Sequence, residues 1–146
     1  MPKASVNFIL LFCLFLTPVF AADTTPPAAP VITSVPGYSQ GTSLTASWKA
    51  ASDPQSGIAQ YSYMVAASAD GKGAVVKWTT LTASKTSVTV RFPSSLKNNA
   101  KYYFLLKARN KAGLWSKTTA SGAILIDRTP PALEITSPTP GQVFKE

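Results

Sequence analysis

The sequence predicts an all-β fold, a two-layer sandwich of seven strands, and three observations carry that prediction. Short runs with apolar residues at alternate positions recur along the chain, clearest in Tyr102, Phe104, Leu106 and Ala108, and a period of two marks a strand buried on one face. Turn-forming clusters punctuate them: Asp53-Pro54-Gln55-Ser56-Gly57, Asp70-Gly71 and Ala112-Gly113. No stretch keeps a helical period, and strands alone bury their apolar faces by packing sheet on sheet.

Composition narrows the function classes. The 146 residues, 45% of them hydrophobic, suffice for one core of ordinary size. The formal charge is +8, yet only 14% of residues are charged, so scarcity of acids contributes as much as abundance of lysine. Without Lys and Arg clustered on a recognition motif, nucleic acid is not an expected partner. There is no His, and the single Cys, Cys13, falls in a segment expected to be removed. No cofactor, zinc site or disulfide framework is expected in the mature chain.

Taken in order, residues 1–21 read as a secretory signal. Lys3 supplies the positive start, Val6 to Leu16 is almost unbroken apolar, and Val19-Phe20-Ala21 suits cleavage after Ala21. About 15 apolar residues fall short of the roughly 20 that a membrane span needs, so the mature form is expected to be secreted or on the cell surface, without a membrane anchor. Phe12 stands where a lipoprotein signal places a small residue before its Cys, which excludes lipidation of Cys13. Residues 22–30 are a Pro-rich linker, extended and stiff. Its core, Asp23-Thr24-Thr25-Pro26-Pro27-Ala28, recurs as Asp127-Arg128-Thr129-Pro130-Pro131-Ala132. From position 23 to position 127 the spacing is 104 residues, about one sandwich module.

Residues 31–127 hold the strands. Val31–Val35 is the first. Leu44–Trp48 is the second, with Leu44, Ala46 and Trp48 on one face. The third follows Ile58, with Tyr61, Tyr63 and Val65 inward. After the hairpin signal at Asp70-Gly71 come Ala74–Thr80 and Thr86–Phe92, the latter alternating Val88, Val90 and Phe92. The sixth is the alternating run in Leu96 to Ser116, and Ala123–Ile126 is the seventh. Residues 128–146 then carry the second linker and Leu133-Glu134-Ile135-Thr136, either the first strand of a second, truncated sandwich module or a strand that pairs along an edge of this one.

The stretch from Leu96 to Ser116 resembles strand F of a fibronectin type III module: Leu96, five residues, Tyr102, alternating Phe104, Leu106 and Ala108, then Asn110 and Gly113. Trp48 matches the core Trp that such modules carry on strand B, and Tyr61, inward on the third strand, belongs to the same structural signature. The resemblance implies a seven-stranded immunoglobulin-like sandwich in which Leu96 and Tyr102 form a tyrosine corner, the Tyr hydroxyl returning to backbone a few residues upstream. The Asn-Lys-Ala-Gly-Leu-Trp-Ser wording and Thr-Pro-Pro linkers are similar to modules of bacterial exported proteins. The integrin-binding Arg-Gly-Asp that some members carry in the loop after strand F is replaced here by Asn110-Lys111-Ala112-Gly113.

For chemistry the candidates are few. Asp53 and Asp70 lie in turn contexts, where Asp bonds its own backbone, and the hydroxyls lack a His partner. No catalytic residue is assigned. The outward positions of the sixth strand, Lys101, Tyr103, Leu105, Lys107 and Arg109, form a candidate binding face for an anionic polysaccharide or another surface protein, with Lys77 beside it. The same alternation also suits a solvated sheet face. Trp78 is expected to cap the sandwich edge and Trp115 to pack over the end of the core. The resemblance implies a non-catalytic spacer or adhesion-type module among neighbouring domains of a longer chain, or an accessory module of an extracellular carbohydrate-active enzyme.

Overall fold

The computed structural model describes residues 21–132. The secretory signal and the strand expected from Leu133 lie outside the described residues. Within them are nine strands: β1 (Val31–Ser34), β2 (Tyr38–Ser39), β3 (Ser43–Lys49), β4 (Ile58–Ala66), β5 (Ala74–Thr82), β6 (Ser87–Arg91), β7 (Lys101–Asn110), β8 (Thr119–Ala120) and β9 (Ile124–Ile126). One sheet has the order β1-β3-β6 and the other β2-β9-β7-β4-β5, with β8 added alongside β7. The all-β sandwich is therefore as expected, with two strands more than the alternation predicts. Both extra strands, β2 and β8, are two residues long, too short for a period of two to show.

The alternation places the core. Leu44, Ala46 and Trp48 of β3 and Val90 of β6 face Tyr61, Tyr63 and Val65 of β4, Tyr102, Phe104, Leu106 and Ala108 of β7, and Ile124 and Ile126 of β9, all buried. Trp48 and Phe104 join the two sheets with ring centroids 6.3 Å apart. Tyr63 also stacks on Phe104, at 5.6 Å, and Tyr61 meets Trp48 edge-on at 5.5 Å. Offset and edge-on geometries suit the ring quadrupoles and add about 0.5–1.5 kcal/mol per pair to simple burial. The Tyr61 hydroxyl accepts the Ala51 N–H at 2.7 Å, satisfying the one polar atom that this ring brings inward.

The first strand is one residue shorter than expected because the chain changes sheets over Val35-Pro36-Gly37. β1 pairs antiparallel with β3, whereas β2 pairs parallel with β9, and Pro36 between them has no N–H for either ladder. Asp70-Gly71 lies at a hairpin as expected, inside a loop that runs from Ala67 to Gly73. That loop is closed by the Ala67 N–H on the Gly73 carbonyl at 3.1 Å.

The tyrosine corner is corrected in one respect. Leu96 and Tyr102 are both buried, but the Tyr102 hydroxyl makes no hydrogen bond among the described residues. Three of the backbone donors upstream have other partners: Leu96 N–H bonds the Gly41 carbonyl at 2.9 Å, Asn99 N–H bonds the Ile126 carbonyl at 2.8 Å and Ala100 N–H bonds the Lys97 carbonyl at 3.3 Å. Tyr102 therefore fills the end of the core by its ring.

The chain enters and leaves at opposite poles. The N-terminal linker lies against the β4 entry loop and the loop after β7, with the Ala28 N–H on the Ser52 carbonyl at 3.1 Å. The exit, Asp127, donates its N–H to Ser39 at 3.0 Å, and the Arg128 N–H bonds Asn98 Oδ1 at 2.8 Å. Strand β7, ten residues long, runs from the exit pole to the entry pole and spans about 30 Å at strand rise.

Candidate functional site

Two arrangements of side chains stand out, one on the outer face of the larger sheet and one at the entry pole. On the outer face, β7 alternates as the sequence predicts, but the five predicted residues do not share one surface. Leu105 is 2% exposed, which corrects its assignment to a binding face. It pairs with Met64 of β4 and Ala120 of β8, and the loop carrying Gly71 lies over it, close enough that a Cβ at Gly71 would sit 3.8 Å from Leu105 Cδ2. This cover divides the face. Lys101 and Tyr103 lie on one side of it, opposite Leu125 and Ala66; Lys107 and Arg109 lie on the other. Lys101 and Lys107 stand about 20 Å apart along the strand.

Lys107 and Arg109 instead join two tryptophans absent from the predicted face. Lys107 Nζ lies 4.3 Å from the Trp78 ring centroid and 4.4 Å from that of Trp115, and the Arg109 guanidinium carbon is 5.8 Å from the Trp115 ring. The order is indole, ammonium, indole, guanidinium, each cation over a π face at a distance where the ring quadrupole attracts it. Local structure puts each there. Gly113, at φ +93°, turns the chain so that Trp115 bridges Arg109, and the Arg109 Nε–H donates to the Gly113 carbonyl at 3.1 Å. Ser116 then turns inward, its N–H on the Ala108 carbonyl at 2.8 Å and its hydroxyl oxygen accepting the Ala108 N–H at 3.0 Å, which leaves Trp115 outward. Trp78 reaches the stack because the β4–β5 register shifts between Tyr63 and Val65. Neither indole occupies its expected place: Trp78 is 37% exposed and Trp115 lies over the sheet face, away from the end of the core.

At the entry pole, Asn110 is 1% exposed and its carboxamide is fully engaged. Nδ2 donates to Asp23 Oδ2 at 2.9 Å, Asp53 Oδ2 at 3.0 Å and the Thr25 carbonyl at 3.0 Å, and Oδ1 accepts the Leu114 N–H at 2.7 Å. Asp53 Oδ1 accepts the Gln55 and Ser56 N–H groups at 3.0 and 2.9 Å, the expected turn of an Asp onto its own backbone. Asp23 does the same with the Thr25 N–H at 2.9 Å, and its second oxygen takes the Ser56 hydroxyl at 2.6 Å.

Donors around both carboxylates hold them below the ordinary aspartate value of 3.8. For Asp23 the Ser56 hydroxyl is the largest cause, opposed by burial and by the neighbouring Asp53; for Asp53 the Ser56 N–H comes first, then the Asn110 amide. Asp70 is lowered as well, chiefly by the Ser68 hydroxyl and then by Lys72, whose ammonium lies 2.9 Å away. Carboxylates stabilised in the charged form are poor proton donors at neutral pH. Among the described residues no three His, Cys, Asp or Glu side chains form a metal-binding group.

The sequence shows both halves of the entry bracket, the Asp-x-Thr-Pro-Pro linker and the Asn110 turn, without relating them. The signal that could have found it is the placement of a polar Asn at the inward position next after Ala108. A buried carboxamide requires partners.

The family model for the fibronectin type III domain matches residues 29–121. Among solved structures, a human fourth FNIII domain matches with 18% identity and a TM-score of 0.51, over 86% of this chain and 94% of that one. The Clostridium perfringens spore cortex lytic enzyme SleM matches with 17% identity and a TM-score of 0.49, over 68% of this chain. Titin module A71 from human cardiac muscle matches at 23% and 0.43, over 70% of this chain and 91% of that one. The chain spans only 28% of the spore enzyme's length. No curated protein matches. Domains of this kind typically serve as non-catalytic modules within multidomain chains. The sandwich topology, the Trp48–Phe104 core and the matched residues lead to one conclusion: the chain belongs to the fibronectin type III domain family.

Proposed function

We propose that this chain is a non-catalytic spacer and interaction module of an exported modular protein. The pole-to-pole path of the chain is the observation that supports it most. The linker before β1 is held at the entry pole by Asn110, and the linker after β9 leaves beside Ser39 and Asn98. A module entered and left at opposite ends adds its full length to a string of domains. The signal pattern of residues 1–21 supports export, and membership of a family whose domains are typically non-catalytic modules supports the non-catalytic role.

Spin labels at Ala22 and Ala132, in the chain lacking residues 1–21, test the spacer. The expected double electron–electron resonance trace gives a distance beyond about 30 Å, set by the length of β7. A distance below about 20 Å would put both ends on one pole and end this reading.

A second reading, an accessory module that holds an anionic polysaccharide, is favoured by the Trp78–Lys107–Trp115 stack, which offers apolar ring faces beside two cations. Retardation in a gel containing a uronic-acid polymer tests it. Lys107→Gln with Arg109→Gln should release the protein, and Lys49→Gln with Lys85→Gln, an equal loss of charge on exposed positions elsewhere, should not. Equal mobility of the two double variants would leave net charge as the cause.

A further inference from the structure

The second linker repeats the first in structure as well as in wording. The Thr25 N–H bonds Asp23 Oδ1 at 2.9 Å, and the Thr129 N–H bonds Asp127 Oδ1 at 2.9 Å. Both segments fold the Asp back onto the residue two positions on, then stiffen into Pro-Pro. Their surroundings differ. In the first copy, Asp23 Oδ2 and the Thr25 carbonyl are both claimed by the buried Asn110 carboxamide, the Ala28 N–H bonds Ser52, and Pro27 is buried. In the second copy the corresponding groups, Asp127 Oδ2 and the Thr129 carbonyl, meet no donor among the described residues, and Asp127 to Ala132 are all exposed. One copy is a seated key and the other the same key unseated.

We propose that Asp127–Ala132 is a junction latch that seats on the entry pole of a second sandwich module, continuing from Leu133. The chemistry of the seat follows from the occupied copy: a buried Asn carboxamide to donate to the Asp carboxylate and the Thr carbonyl, and a turn Asp beside it to orient that carboxamide, as Asn110 and Asp53 do here. The donor–acceptor count favours this partner over a charged one. The first copy is held by neutral amide and hydroxyl donors, Asn110 Nδ2 and Ser56 Oγ, with its carboxylate kept ionised. Two modules joined in this way share a fixed angle, because the linker that separates them is bonded to both: to Ser39 and Asn98 behind, and to the Asn carboxamide ahead. This latch rests on the spacer reading and gives it a partner.

A single substitution tests whether the second hexapeptide can seat. Thr24→Arg makes the first linker Asp-Arg-Thr-Pro-Pro-Ala, identical to the second, at a position that is exposed. Hydrogen exchange of the Asn110 carboxamide, read by NMR in the chain lacking residues 1–21, should stay as slow as in the parent, whereas Asp23→Ala should speed it about tenfold, the scale of one lost hydrogen bond. Exchange in Thr24→Arg as fast as in Asp23→Ala overturns the proposal. A tandem of residues 22–132 followed directly by residues 29–146 then places Asp127–Ala132 before a second copy. The expected result is joint tumbling of the two modules with a protected Asn110 in the second, lost on Asp127→Ala at the junction. Independent tumbling with an unprotected second Asn110 overturns the latch and leaves the spacer reading intact, since that reading depends on the distance between residues 22 and 132.

Discussion

Asn110 reaches Asp23 at 2.9 Å across 87 residues of sequence, so one carboxamide ties the linker before β1 to the end of β7. Asn110→Ala removes that donor and the acceptor for the Leu114 N–H together, leaving buried groups unpaired. The expected cost is about 2–3 kcal/mol in urea unfolding. Asn110→Asp should cost more at neutral pH, because it places a third carboxylate against Asp23 and Asp53, and part of that excess should disappear in acid.

Asp23 and Asp53 also set a pH dependence. Both have folded values below 3.8, so the folded state binds fewer protons than the unfolded chain in acid. Their contribution is fully present above the unfolded value and is lost as pH falls through the lower folded values. Thermal melting should therefore be insensitive to these groups between pH 5 and 7 and should fall below about pH 4. A melting temperature that rises on acidification below pH 4 would contradict the bracket.

Two glycines predict opposite outcomes. At Gly41, φ is +76° and a Cβ would lie 3.0 Å from Ile126 Cγ2 and 3.1 Å from the Leu96 backbone nitrogen, so Gly41→Ala should cost about 1–3 kcal/mol. At Gly122 nothing lies within 4 Å of the added Cβ, and Gly122→Ala should be neutral or stabilise by up to about 1 kcal/mol through the unfolded chain. Chemical denaturation of the pair decides it.

Lys107→Met keeps the aliphatic stem between the two indoles and removes the charge. The stack should lose about 0.5–1 kcal/mol per cation–ring contact, and fluorescence from Trp78 and Trp115 should change while the buried Trp48 serves as an internal reference. Unchanged emission with unchanged stability would show that the ammonium does not engage the rings in solution.

The core was legible in the sequence because burial of one sheet face imposes a period of two: Leu44, Ala46, Trp48, Phe104 and Leu106 follow from spacing alone. The outer face was legible only as alternation. Nothing in strand periodicity shows that the loop at Gly71 covers Leu105, or that the register shift beside Val65 brings Trp78 to Lys107. By local pattern Asn110 belongs to the turn that ends at Gly113, and its partners Asp23 and Asp53 lie too far away in sequence for that pattern to reveal them. The short strands β2 and β8 depend on where the chain crosses between sheets, which is a tertiary matter.

The parallel pairing of β2 with β9, Tyr38 opposite Leu125 and Ser39 opposite Ile126, governs how this domain responds to load. Tension applied between its two linkers pulls β1 away from β3 one bond at a time, since that pair is antiparallel and loaded from its end. The β2–β9 pair is drawn in opposite directions along its own length, so the bonds from Leu125 to Gly37 and from Asp127 to Ser39 are sheared together. Mechanical strength would then reside in these few residues at the rim of the larger sheet, and a proline in place of Leu125, which removes one of the two donors, should weaken the domain under force far more than its position at the margin of the core suggests.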